Sequence, residues 1–243
     1  MEKNIAMIKE IIIVTDGCSN VGGNPAIAAQ KARQRGIRVN IIGIIDQKAQ
    51  KEKPFDEIIS IAEAGGGNHE YTYIDNLYQT IHSLSYKTVS TTIQEAVNQQ
   101  LKELMAQDLN EMPPSSRSKL LNYIDDYSEE IPLCCCILMD YSGSMASKIQ
   151  SARHSIIDVL DSLKNRKGKV DISILAYPGE RVDDCKILLD FNESKEDMKR
   201  RLYQLKTRGG TPTAAAIEFA INHMEGFIYQ NNSSLQLEES SVG

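Results

Sequence analysis

Two short runs constrain this chain more than anything else in it: the β-branched stretch Lys9 to Val14 and the apolar stretch Leu133 to Met139. A strand with one face in water alternates polar and apolar residues. Runs without that alternation predict strands buried on both faces, the habit of parallel sheets covered by helices. Each run also delivers an acid to a loop: Thr15-Asp16-Gly17 follows the first, and Asp140-Tyr141-Ser142-Gly143-Ser144 follows the second.

The flanking segments fit the same architecture. The loop Cys18 to Pro25 leads to a helix over about Ala26 to Arg35, with Gly36 placed for a left-handed stop. Val39 to Ile45 predicts another buried strand. Ile58, Ile61, Ala62 and Ala64 mark a helix closed by Gly65-Gly66-Gly67, Tyr71 to Ile74 a short strand, and Leu77, Ile81 and Leu84 a further helix. This β-α alternation predicts a parallel sheet. A new helix is expected from Thr92, where Thr92-x-x-Glu95 has capping-box spacing and Ile93, Val97, Leu101 and Leu104 form a stripe. The hydroxyl-rich stretch Ser83 to Thr92 reads as its polar start or as a phosphorylation segment. Met112-Pro113-Pro114-Ser115-Ser116 breaks this helix, and Ser118 to Tyr127 predicts the next.

The pattern restarts at Leu133. Ile149, Ala152, Ile156, Val159, Leu160 and Leu163 then share one helical face. Val170 to Tyr177 and Cys185 to Phe191 predict a hairpin through Pro178-Gly179-Glu180. Asp197 to Leu205 and Ala215 to about Met224 predict helices, and residues 225–243 a flexible tail.

Composition narrows the functional classes. The 243 residues, 41% apolar and 25% charged, suit a globular chain with one sizeable core. Acidic residues outnumber basic ones, 33 to 27, and Lys199-Arg200-Arg201 falls within an amphipathic helical pattern, so nucleic acid is not an expected partner. The apolar stretch Ile131 to Met139 is far short of the ~20 residues that span a bilayer. Glu10 interrupts the N-terminal apolar segment and no cleavage site follows, so neither a membrane span nor a secretory leader is expected. Cys134, Cys135 and Cys136 would alternate between the faces of a strand and cannot meet at one metal ion. They fit a buried strand in a reducing compartment, and a cytoplasmic location is expected. His69, His82, His154 and His223 lack zinc-like spacing. The sequence contains no G-x-S-x-G elbow, Walker loop or dinucleotide fingerprint.

Three loops offer oxygen ligands: Asp140, Ser142 and Ser144 in one, Thr211 in Arg208-Gly209-Gly210-Thr211-Pro212-Thr213-Ala214, and Asp16 in the third. Singly, each residue also fits a turn or a helix start. As a set they suit a hard divalent cation such as Mg²⁺, which binds through oxygen. Three hydroxyls and only two carboxylates leave such an ion under-neutralised, and it attracts one more carboxylate from outside.

These residues resemble a known family. Asp140-x-Ser142-x-Ser144, the Gly-Gly-Thr211-Pro-Thr loop and Val14-Thr15-Asp16-Gly17 are similar to the three motifs of the metal-ion-dependent adhesion site (MIDAS) of von Willebrand factor type A (VWA) domains. Ile61-Ala62-Glu63-Ala64-Gly65-Gly66, then Tyr71 and a helix through Leu77, resemble the family's closing section. The resemblance implies a three-layer α/β/α, Rossmann-like fold: a mostly parallel central sheet with one antiparallel edge hairpin. The motif order departs from the family, because the Thr-Asp-Gly half comes first. A single circularly permuted domain over 1–243 is therefore expected. Residues 5–105 would be the family's C-terminal half, 106–130 a helical connector and 131–224 the N-terminal half. A reciprocal exchange of halves between two chains would rebuild the same site. Small cytoplasmic VWA proteins of spore-forming bacteria are similar in architecture.

The function this resemblance implies is non-catalytic: Mg²⁺- or Mn²⁺-dependent binding of a protein partner whose Asp or Glu completes the coordination. Ser142, Ser144 and Thr211 would be direct or near-direct ligands, while Asp140 and Asp16 supply charge, at least one of them through water. Two other readings stay open. One is a scaffolding module using its connector or tail, the ion only stabilising loops. The other is a metal-dependent phosphohydrolase, against which stand the serine at position 142, where aspartyl phosphotransferases carry a second carboxylate, and the lack of an evident general base. The oligomeric state is not legible.

Overall fold

The computed structural model describes residues 7–45, 55–105, 108–163, 165–179 and 185–241. Six strands form one sheet. β1 (Ile8–Thr15), β2 (Ile37–Ile45) and β3 (Gly66–Tyr73) come from the first part of the chain; β4 (Leu133–Asp140), β5 (Val170–Tyr177) and β6 (Lys186–Leu189) come from the second. Their order is β3-β2-β1-β4-β5-β6, and every neighbouring pair is parallel except β5 with β6. The two apolar runs are thus the central strands, with Ile8 to Val14 paired in register with Leu133 to Met139. From this pair the two halves wind outward in opposite directions. Such a reversal opens a crevice at the carboxyl ends of the two strands, here beyond Thr15 and Asp140.

Helices cover both faces. α1 (Pro25–Gln34), α2 (Phe55–Gly65) and α7 (Thr213–Ser241) pack on the face presenting Ile11, Ile13, Cys134, Cys136 and Leu138. α3 (Leu77–Met105), α5 (Ile149–Leu163) and α6 (Lys195–Gln204) pack on the face presenting Ile12, Val14, Cys135, Ile137 and Met139, while α4 (Pro114–Ser128) lies against α3. The pleat sends the three consecutive cysteines to alternate faces. All are unpaired, and burial pushes the Cys134 thiol up to about 12. α1 starts where Asn24 accepts from the Ala26 and Ile27 N–H groups, and Gly36 follows it at φ +70°. Among the described residues, no helix is long and apolar enough to cross a membrane.

Several sequence expectations need correction. The helix at Leu77 and the one expected from Thr92 are a single helix, α3. No capping box forms at Thr92, whose hydroxyl donates to the Thr88 carbonyl at 2.7 Å, while Glu95 pairs with Arg38. Ser85, Thr88 and Ser90 are buried mid-helix, bonding other side chains rather than ending the helix. The glycines at 66 and 67 open β3 instead of trailing α2: a Cβ on Gly67 would lie 2.3 Å from the Val39 carbonyl oxygen. α4 begins at Pro114, four residues before the expected Ser118. The stretch from 225 to 241 is helical, not a loose tail, because Met224 and Phe227 extend the apolar stripe of α7 and Phe227 stacks on Phe191 at 4.3 Å. Of the hairpin turn, Glu180 lies outside the described residues, as do residues 5–6 and 106–107 of the expected segments.

A polar cluster centred on a carboxyl sits within the core. Glu10, on β1, is wholly buried: the Ser85 hydroxyl of α3 donates to one carboxylate oxygen and Asn40 Nδ2 of β2 donates to the other at 3.0 Å. Asn40 cannot turn, since its Oδ1 accepts from the Asn68 N–H at 2.9 Å and from Thr88 Oγ1 at 3.0 Å. Burial raises the Glu10 pKa above its ordinary 4.5, outweighing the Ser85 hydrogen bond that lowers it. A carboxyl raised on folding contributes stability below its unfolded pKa and loses it as pH climbs through the folded one. Glu10→Gln, whose amide can accept from Asn40 and donate to Ser85, should therefore gain stability relative to wild type as pH rises from about 4 to about 8 in urea unfolding. Glu10→Ala should lose roughly 2–4 kcal/mol at about pH 4, from a cavity and two stranded polar groups, and less at about pH 8, where wild type has lost the stability of its neutral carboxyl.

Candidate functional site

β4 ends at Asp140, whose carboxylate reaches two segments at once. Its Oδ1 accepts the Ser142 N–H at 2.7 Å, folding the loop over the strand end, and its Oδ2 accepts the Thr15 hydroxyl of β1 at 2.6 Å. The Ser142 and Ser144 hydroxyl oxygens lie 3.0 Å apart, and Ser144 Oγ donates to Asp16 Oδ1 at 2.6 Å. Lys148 Nζ donates to Asp16 Oδ2 at 2.7 Å. Asp140, Ser142, Ser144 and Asp16 thus line one polar row at the crevice between β1 and β4.

Thr211 reaches the same rim through its backbone. Its N–H donates to Asn20 Oδ1 at 2.8 Å, and its carbonyl accepts from the Asn20 N–H at 3.2 Å and from Ser19 Oγ at 3.1 Å. The Gly143 N–H donates to the Gly209 carbonyl at 3.3 Å, tying the Thr211 loop to the Ser142–Ser144 loop. Glycine is required at 210, where a Cβ would stand 2.4 Å from Asn20 Oδ1 and 2.6 Å from Val21 Cγ2. The Ser19 N–H donates to Glu57 Oε2 at 2.7 Å, anchoring the Asp16 loop to α2.

Burial governs the electrostatics. Asp140 is completely enclosed, and desolvation lifts its pKa from 3.8 to about 6, with the Asp16 charge adding to the rise and the Thr15 and Ser142 hydrogen bonds opposing it. The Tyr177 hydroxyl, at the end of β5, is also enclosed and lacks a hydrogen-bond partner among the described residues. Burial first and the nearby Asp140 charge second push its phenol well up. The donor set of two carboxylates and three hydroxyls is hard oxygen throughout. Among the described residues no three His, Cys, Asp or Glu side chains converge.

Among the described residues, the Ser173–His223–Asp190 grouping lacks the geometry of a hydrolytic triad. His223 Nε2 lies 2.9 Å from Ser173 Oγ and 3.4 Å from Asp190 Oδ1, so one nitrogen faces both partners, whereas a triad uses the two ring nitrogens separately. Ser173 is fully buried and donates to the Leu189 carbonyl at 2.8 Å, which makes the contact structural. His154 is exposed, as its position in the helical pattern predicted.

Of the five residues singled out in the sequence, the structure brings the Asp140, Ser142, Ser144 and Asp16 groups into one row and Thr211 beside it through its backbone; their supports were missed. Thr15 lay within a quoted motif without a role. Lys148, Asn20 and Glu57 carry no local signal, because each acquires its partner only when distant loops meet. With divalent ions chelated, stability from protonated Asp140 is complete below about pH 4 and fades as pH rises through about 6. Asp140→Asn is compatible with the loop, since Thr15 Oγ1 can accept the new amide proton while donating to the Gly17 carbonyl. It should stabilise the chelated protein by on the order of 2 kcal/mol at about pH 7.5 and leave it nearly unchanged at about pH 4. Calorimetric unfolding in EDTA at both pH values checks this; equal destabilisation at both would refute it.

Comparison with known proteins adds the family. The profile of the von Willebrand factor type A domain matches residues 135–233. The YabS protein of Bacillus subtilis (strain 168) is 32% identical over 224 residues, which cover 91% of each chain. The crystal structure of an uncharacterized protein from Alicyclobacillus acidocaldarius superposes with a TM-score of 0.83 at 31% identity, covering 92% of this chain and 96% of that one. With a full-length relative of this similarity, and with the sheet order and helical layers described above, the chain belongs to the von Willebrand factor type A domain family, alongside YabS.

Proposed function

We propose that this chain is a non-catalytic module that binds a protein partner through a divalent cation, Mg²⁺ or Mn²⁺. Ser142, Ser144 and Thr211 would hold the ion, Asp140 and Asp16 would supply charge, and an Asp or Glu of the partner would complete the coordination. The observation that carries this reading is the polar row from Asp140 through Ser142 and Ser144 to Asp16, assembled across 128 positions of sequence at its last contact. Independent turns have no reason to line up hydroxyls and carboxylates from both halves at one strand reversal. The ion would supply a Lewis-acidic positive charge for an incoming carboxylate. The chain's own part is to hold the oxygens in place: Thr15 fixes Asp140, and Asn20 and Ser19 fix the Thr211 loop.

The domain reading that accompanies this is a circular permutation. The family profile begins at residue 135, near the start of β4, whereas Thr15-Asp16-Gly17 lies far ahead of it at the end of β1. Placing 131–224 before 5–105 restores the family's motif order, and the helices of the 106–130 segment then bridge the family's usual ends. The consecutive buried cysteines Cys134, Cys135 and Cys136, which form no disulfide, favour a reducing compartment, and we place the protein in the cytoplasm on that ground.

A scaffolding role keeps one specific observation in its favour. Tyr123 on the connector helix α4, with Leu104 and Met105 at the end of α3 just before the connector, are large side chains exposed to solvent. If they form the interface, partner binding will be indifferent to metal.

A thermal shift tests the ion site, and partner release separates the two readings. Mn²⁺ at about 100 times its Kd should stabilise the protein by ~2.7 kcal/mol, a rise of roughly 5–10 °C in Tm. Asp16→Ala should abolish the rise, and both EDTA and Thr211→Ala should release any bound partner. A partner that survives EDTA and Thr211→Ala would overturn the metal bridge in favour of the connector surface.

A further inference from the structure

Lys148 stands just beyond the Ser142–Ser144 loop, before the first turn of α5. Its side chain is 14% exposed where it meets an Asp16 side chain that is 2% exposed. The ion pair is therefore largely withdrawn from water, unlike the exposed Lys31–Glu218 and Arg35–Glu225 pairs between α1 and α7. Its ammonium already occupies Asp16 Oδ2, while Ser144 occupies Oδ1.

Resting on the metal-binding reading above, we infer that Lys148 is a built-in cation that weakens ion binding by the lone protein and makes it depend on the partner's carboxylate. The charges explain why. The ammonium and an incoming dication compete for the same Asp16 carboxylate, so the ion meets a positive charge already in place. An outside carboxylate offsets that repulsion, and removing the lysine relieves it. The repulsion between ammonium and dication is strong because both lie in a partly enclosed site, where the effective dielectric constant is well below that of water.

A purely structural lysine predicts the opposite sign: if Lys148 served only to aim Asp16, removing it would loosen the site and weaken the ion. Calorimetric titration of Mn²⁺ into the full chain distinguishes these, using wild type, Lys148→Met and the charge-keeping Lys148→Arg, each with and without acetate as the stand-in carboxylate. Lys148→Met should bind Mn²⁺ at least about tenfold more tightly, equivalent to about 1.4 kcal/mol, and Lys148→Arg should stay near wild type. Acetate should tighten binding by wild type more than by Lys148→Met. Lys148→Gln carries the same expectation if the Met variant misfolds. Wild type and Lys148→Met binding Mn²⁺ equally, or the variant more weakly, overturns the inference and leaves the metal reading standing. No Mn²⁺ binding by either folded protein overturns both.

Discussion

The structure depends on one pairing, β1 against β4. Ile11 to Val14 of β1 and all of β4 are buried, so each strand is apolar on both faces and unfit to be an edge. Yet either half of the chain alone would leave one of them as an edge, since β1 caps the β3-β2-β1 set and β4 begins the β4-β5-β6 set. Joining them removes two apolar edges at once and makes a sheet wide enough for helices on both faces. The cost is closing a loop of more than a hundred residues, which grows only slowly with length. The crevice at the strand reversal exists because of this pairing, and so does the meeting of Asp16 with Ser144.

Legibility in the sequence followed the range of the forces involved. All six strands were readable in kind, the central ones because unbroken apolar runs are a local signal, although the start of β3 was missed. That failure has a physical reason: Gly66 and Gly67 look like a helix stop, but Gly67 is needed for close approach to the Val39 backbone. The division of α3 failed similarly, because Ser85, Thr88 and Ser90 signal a helix start until their buried partners Glu10, Asn40 and Asp125 are known. Likewise the polar end of α7 reads as a tail until Phe227 is seen against Phe191. At the site, Asp140, Ser142, Ser144, Thr211 and Asp16 stood out as a set. Lys148 did not, since a lysine near a helix start has no meaning before a second half of the chain brings it an aspartate.

Two buried carboxylates on the central strand pair show how environment separates support from site. Glu10 lies opposite Cys135 in the sheet and is surrounded by neutral donors from β2 and α3. Asp140 also has its donors, from Thr15 and Ser142, but a second carboxylate lies close enough to raise its pKa further. Neutral donors only partly offset the burial of one acid, and they do not relieve repulsion between two. A positive charge does, and the fold already places the Lys148 ammonium on the second member.

The wide separation of Asp16 from Ser144 and Lys148 also orders events during synthesis. Asp16 leaves the ribosome 128 residues ahead of Ser144, on the order of ten seconds earlier at usual elongation rates. In that interval β1 has only β2 beside it, and Asp16 has neither the hydroxyls nor the ammonium that later hold it. The contacts that hold Asp16 are incomplete until β4 docks. The polar row is a product of folding, and its appearance marks a chain whose two halves have found each other.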